Sequence, residues 1–192
     1  MKRIAILASG TGSNARKIVE HLKDNQYIEV ALIASNRKNA GVLDMASDNG
    51  IATQVITRAD FYDSDTFLSE LQTANIDWVI LAGFLWLVPA NLIQAFPNRI
   101  VNIHPALLPA YGGKGMYGMN VHRAVKENKD IVSGMTIHLV NEKYDDGAIV
   151  FQGRTDIDAE DTAEDIAAKV LELEHQYYPT VVEGLVMAQY QR

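Results

Sequence analysis

Five short apolar runs, at residues 4–8, 29–34, 52–56, 78–82 and 100–103, limit this chain to very few folds. Runs of this length without internal alternation read as strands buried on both faces. The stretches between them, among them Ala15 to Leu22, Gly41 to Asp48 and Asp65 to Thr73, carry apolar residues at helical intervals instead. Strands joined through helices run parallel, since a parallel pair needs a crossover, and the helices then cover both faces of the sheet. The expected fold is therefore α/β, doubly wound, with a mostly parallel sheet. After Pro109 the pattern changes. A helix near Val121 to Glu127 precedes two strands, Ser133 to Asn141 and Ala148 to Arg154, with a polar turn between them, which predicts an antiparallel edge in the C-terminal part. A long helix begins near Asp161-Thr162, where Thr162 and Asp165 form a capping pair, and Pro179 should kink or divide it.

With 192 residues and 48% hydrophobic content, the chain has enough apolar surface for one substantial core and too little length for two ordinary domains, so a single domain over 1–192 is expected. A formal charge of -7 argues against nucleic acid or an anionic membrane as partner, because neutralising phosphates takes a basic face. The chain has no cysteine, which excludes disulfides, thiol catalysis and Cys-ligated metal. Met1-Lys2-Arg3 leads into an apolar run too short for a signal sequence, and no run approaches a membrane span. A soluble cytoplasmic protein is the expectation.

Two motifs carry chemistry. Gly10-Thr11-Gly12-Ser13-Asn14 follows the first strand and opens a helix, so its glycines permit a tight turn and the free amides of the helix face an anion. Gly10, Gly12 and Ala15 also satisfy a dinucleotide pattern. An NAD enzyme needs an acidic residue at the end of the second strand; here that strand ends in Ser35-Asn36-Arg37, and Arg37 keeps an NADP oxidoreductase open. The second motif is Asn102-Ile103-His104, closed by Pro105. Extended residues two apart point to one side, so Asn102 and His104 project together from the carboxyl end of a strand, where such sheets place their ligands. An amide donor beside an imidazole suits a reaction in which a carbonyl oxygen gains charge while a nucleophile sheds a proton.

Four pieces in order, Gly10 to Asn14, Leu81-Ala82-Gly83-Phe84, Asn102 to Pro109, and Asp145-Asp146-Gly147-Ala148-Ile149 with Gln152, make the chain resemble the folate-dependent formyltransferases. Within that group it is most similar to the branch that formylates glycinamide ribonucleotide in purine synthesis. The resemblance covers nearly the whole chain and implies a Rossmann-like fold. It also implies 10-formyltetrahydrofolate as co-substrate, no metal, and a monomer or homodimer. Carried over by position, Asn102, His104 and Asp145 are the catalytic residues. Gly12, Ser13 and Asn14 hold the substrate phosphate, and Glu174 faces the ribose hydroxyls. Leu85, Trp86, Leu87 and Val88, with Asn102, hold the folate, while Thr136 and His138 line the site in support.

The chain departs from the family pattern at several points. Asp146 stands where a glycine is usual, and Trp86 replaces a basic residue of some members. The connection Tyr111 to Asn120 is longer and richer in glycine, as a mobile flap would be. No arginine counterpart for holding folate is evident in the connection before Trp78. Read from the residues alone, Asp145 and Asp146 are turn residues and Glu174 lies on a solvated helix face. The rival functions are a formyltetrahydrofolate hydrolase or other folate formyltransferase, the NADP oxidoreductase, and a non-catalytic nucleotide-binding module. A transfer-RNA formyltransferase would need a second, basic domain. A hydrolase would normally carry an N-terminal regulatory domain, whereas the first strand here begins at Lys2.

Overall fold

Both faces of the first strand, β1 (Lys2–Leu7), are apolar, which puts it at the centre of the sheet. Ile4 and Ile6 pack into one hydrophobic cluster while Ala5 and Leu7 pack into a second on the opposite face. The computed structural model describes residues 1–188; the last four residues of the domain expected over 1–192 lie outside the described residues. The remaining strands are β2 (Ile28–Ser35), β3 (Ala52–Val55), β4 (Trp78–Leu81), β5 (Ile100–His104), β6 (Val132–Leu139) and β7 (Ile149–Asp156). They form a seven-stranded sheet in the order β3-β2-β1-β4-β5-β6-β7. Pairing is parallel from β3 through β5, and β6 runs antiparallel to both β5 and β7, as expected.

Helices α1 (Ser13–Leu22), α2 (Gly41–Asp48), α5 (Met119–Glu127) and α6 (Ala163–Ala188) contribute to the first cluster, whereas α3 (Thr66–Thr73) and α4 (Ala90–Ala95) contribute to the second. Thr162 and Asp165 cap α6 reciprocally: the Thr162 amide donates to Asp165 Oδ2 at 2.9 Å and the Asp165 amide to Thr162 Oγ1 at 3.1 Å.

One expectation needs correction, and the structure adds detail to others. β3 is not buried on both faces; Ala52, Thr53 and Val55 are exposed, because the strand ends the sheet and no helix covers it fully. Helix α6 runs through Pro179 without dividing. Pro179 is buried, and next to it the hydroxyl of Tyr178 donates to the Leu81 carbonyl at 2.8 Å, fastening the helix to the sheet. Between β3 and α3 the chain also makes a wide helical turn, Ala59–Asp63, and α4 is a short helix with no strong periodic signal.

The strand order reverses between β1 and β4: the chain leaves β1 for β2 and β3 on one side, then returns to β4 and β5 on the other. Ligands of open α/β sheets bind at such a switch point, beyond the carboxyl ends of the strands.

Candidate active site

The loops after β1 and β4 meet at this reversal. The Ser9 amide donates to the Gly83 carbonyl at 3.0 Å, and the Ser9 hydroxyl accepts from the Leu85 amide at 3.0 Å. Above them opens a cavity of about 640 Å³. Its walls include Asn14 from α1, Gly83 to Val88, Asn102 and His104 from β5, Gly113 to Met119, His138 from β6, Asp145, and Glu174 from α6. The segment Gly113 to Met119 belongs to the glycine-rich connection Tyr111 to Asn120.

Strand pairing builds the polar wall. β5 and β6 align Asn102 with His138 and His104 with Thr136, so four polar side chains rise from one face. Asp145 comes from the β6–β7 turn, where it takes a positive φ of 53°. Gly147 makes that turn possible, since a Cβ there would collide with the Leu139 carbonyl. The folded-back carboxylate is 11% exposed and faces two histidines. Its Oδ2 lies 3.5 Å from His104 Nδ1 and its Oδ1 lies 3.6 Å from His138 Nε2. The Gly113 amide donates to Oδ2 at 3.0 Å. Burial pushes this carboxyl up, but His138, His104 and the Gly113 amide, all facing it, outweigh that effect, and the acid titrates below its ordinary value.

His104 is held from its other side. Its Nε2 is 2.8 Å from the Tyr111 carbonyl, which only accepts, so Nε2 carries a proton and Nδ1 faces Asp145. Burial pulls the imidazole below its ordinary value, against the opposing pulls of Asp145 and the Tyr111 carbonyl. Nδ1 is therefore the ring nitrogen placed to exchange a proton with the carboxylate. That arrangement regains a proton readily when negative charge develops nearby.

Asp146 takes no part in the cluster. Its side chain is 56% exposed and lies 3.7 Å from Lys143, so the two adjacent carboxylates do not share one environment. Thr136, expected to line the site, does not line the cavity. Its fully buried hydroxyl donates to the Ala106 carbonyl at 2.6 Å and accepts from the Leu108 amide at 2.9 Å, while Gln152 bonds the same hydroxyl and the Leu108 carbonyl. The pair thus fastens the loop after His104.

At the other end, α1 begins at Gly12 with no side-chain cap, so its first-turn amides have no partner within the helix. Asn14 reaches the cavity wall, whereas Gly12 and Ser13 do not line it. Gly12 adopts φ 76° because the loop passes close to α2; a Cβ there would lie 2.6 Å from Val42 Cβ. Its necessity comes from that contact. Glu174 is 7% exposed, which overturns the solvated-face alternative, and it accepts from Asn14 Nδ2 at 2.6 Å. Burial is the larger influence on its carboxyl, and even with the Asn14 bond the group is pushed up to about 7.

Leu85, Trp86, Leu87 and Val88 all line the cavity. Arg58, in the connection where no arginine counterpart was evident, lies over Tyr62 and Trp86, with its guanidinium carbon 5.1 and 5.5 Å from their ring centroids. Only the folded chain brings residues 58 and 86 together. His122 was also missed as a wall residue; its Nδ1 is buried without a partner among the described residues. Arg37, which kept the NADP reading open, is exposed and does not line the cavity. Among the described residues no His, Asp and Glu side chains group as a metal site, and no helix is long and apolar enough to cross a membrane.

The sequence pattern of the formyl transferase family spans residues 2–182. This chain belongs to that family. It is 46% identical over 190 residues to a chloroplastic phosphoribosylglycinamide formyltransferase of Arabidopsis thaliana, covering 96% of this chain and 65% of that one. Phosphoribosylglycinamide formyltransferase of Bacillus subtilis is 34% identical, with 97% and 95% covered. Among solved structures of the family, glycinamide ribonucleotide transformylase 1 of Symbiobacterium toebii superposes with a TM-score of 0.88 at 34% identity, covering 98% of this chain and 89% of that one. The family fold and its antiparallel edge are thus those expected from the apolar runs.

Proposed function

We propose that this protein transfers the formyl group of 10-formyltetrahydrofolate to the primary amine of glycinamide ribonucleotide, in purine synthesis. The observation that carries the reading is the convergence of Asn102, His104 and Asp145 on one wall of the cavity, with His104 Nδ1 3.5 Å from the carboxylate. The relatives in Arabidopsis thaliana and Bacillus subtilis, both phosphoribosylglycinamide formyltransferases, support the same substrates. The pterin lies against the backbone of Leu85 to Val88. The ribonucleotide phosphate sits on the first-turn amides of α1, with Glu174 toward the ribose hydroxyls. The two ligands meet at Asn102.

The amine attacks the formyl carbon, a C–N bond forms, and the carbonyl pair moves onto oxygen. Asn102 donates to that oxygen, and the proton shed by the amine passes, through Asp145 and directly or by way of water, to Nδ1 of His104, whose imidazolium adds electrostatic stabilisation. Asp145 holds that imidazolium, and the same proton then moves to the folate nitrogen as the bond to that nitrogen breaks. The chemistry as written calls for no metal. A single catalytic domain in the cytoplasm, as monomer or homodimer, belongs to the same proposal.

The test is an absorbance assay with 10-formyltetrahydrofolate, run with and without glycinamide ribonucleotide and beside an NADPH oxidation assay. Folate release that depends on the ribonucleotide is expected. Equal release with water alone identifies a hydrolase, and activity with NADPH only sinks both readings.

A further inference from the structure

We propose that His138 is a positioning residue that sets which end of the Asn102 amide meets the substrate. The inference rests on the oxyanion role of Asn102 above and adds the reason that side chain presents nitrogen, not oxygen. His138 is 2% exposed and paired across the strands with Asn102. Its Nδ1 lies 3.0 Å from the Leu139 carbonyl. A carbonyl only accepts, so Nδ1 carries the ring proton. In the neutral ring Nε2 then holds a lone pair, and its nearest polar partner is Asn102 Nδ2 at 3.2 Å; Asp145 Oδ1, at 3.6 Å, lies beyond hydrogen-bond length.

A lone pair distinguishes the two ends of an amide. The NH2 end donates to it, whereas the flipped amide would bring Oδ1 against it, acceptor facing acceptor. His138 thus engages one hydrogen of Asn102 Nδ2 and leaves the second for the developing oxyanion. The Leu139 carbonyl, which fixes the tautomer, in this way determines the polarity of a group one strand away. An asparagine without such a partner samples both orientations, and in one of them its oxygen repels the charge it should stabilise.

The experiment is a cycle of His138→Leu, Asn102→Ala and the double variant, with His138→Gln beside them. Leucine fills similar space without an acceptor, while the glutamine side chain puts an amide oxygen near the place of Nε2. His138→Leu should lower kcat roughly 10- to 100-fold, the range for removing an outer partner of a functional group, with KM for both substrates little changed. His138→Gln should recover most of that loss. In the Asn102→Ala background, His138→Leu should cost nothing further. Equal losses in both backgrounds, or a glutamine variant as poor as leucine, overturn this inference and leave the oxyanion reading standing; a harmless Asn102→Ala overturns the reading itself and the inference with it. The imidazole 15N spectrum of the wild-type protein needs no variant. Nδ1 should be protonated and Nε2 bare at neutral pH, and a proton on Nε2 refutes the assignment.

Discussion

The two ends of the cavity are built on opposite plans. Around Asp145 each functional group has polar neighbours within the protein: Gly113 and two histidines face the acid, Tyr111 holds His104, and Asn102 lies against His138. Around α1 the first-turn amides are uncapped, Asn14 Oδ1 is buried without a partner among the described residues, and Glu174 is a buried carboxyl pushed up to about 7. The first end is organised before any ligand arrives, as electrostatic stabilisation of a transition state requires. The second is left unsatisfied, as the proposed binding of an anion with hydroxyl groups requires. Chemistry and binding should therefore separate when the two ends are perturbed.

The largest effect should come from the organised end. Asp145→Asn keeps the shape and removes the charge, and should lower the rate by roughly 10² to 10⁴ with the melting temperature nearly unchanged; comparable damage from Asp146→Asn would mean that the wrong carboxylate has been chosen. Asn102→Ala comes next, at about 10² to 10³ in kcat with a much smaller change in KM. Steady-state kinetics that move KM instead would assign Asn102 to binding and erase the contrast.

The unsatisfied end should instead reveal itself in stability. The Glu174 carboxyl is raised from 4.5 to about 7, so the native state holds a proton that the unfolded chain has released. Its contribution is complete below about 4.5 and disappears as pH rises through about 7, on the order of 3 kcal/mol in all. Urea unfolding of the wild type should show this loss between pH 5 and 8, and Glu174→Gln should be flatter; parallel curves would mean that the carboxyl ionises normally. Smaller still, Gly12→Ala should cost about 1–3 kcal/mol through its collision with Val42 and its positive φ. The variant is thus a probe of packing, and a selective loss of ribonucleotide affinity at unchanged stability would return Gly12 to the phosphate site.

The sequence made the Asn102–His104 half of the organised end legible because those residues are local, whereas Asp145 read as a turn residue and came only through the family resemblance. Asn102 and His104 stand two apart on one strand, and Pro105 marks where that strand stops. The alternation of apolar runs likewise disclosed the sheet, since burial on two faces leaves its mark in composition. What stayed hidden depends on long-range placement. Whether β3 is central or terminal is a matter of strand order, on which its own residues are silent. For Glu174 a solvated helix face stayed open beside the ribose role, because its contact with Asn14 on α1 lies 160 residues away. Thr136 has the same alternation as His138, but only the loop folded over it shows which of the two is wall and which is fastening. Arg58 was missed for the same reason, because its stacking partner Trp86 belongs to another strand's loop.

The bond from the Tyr178 hydroxyl to the Leu81 carbonyl spans 97 positions of sequence, and a longer approach to the Val101 carbonyl, at 3.4 Å, spans 77. Helix α6, which carries that tyrosine together with Glu174, is the last element the ribosome delivers among the described residues. The central strands can pair before it emerges, but the carboxyl end of β4 and the start of β5 must wait for the hydroxyl that anchors the helix across them. Contacts so distant in sequence form late and slow the folding of the domain that needs them. A nascent chain stalled before residue 163 would thus hold the glycine loop and the Asn102–His104 pair on a sheet with one apolar layer uncovered. Such an intermediate would expose the surface that α6 normally hides, and it would bind neither ligand tightly until the final helix docked.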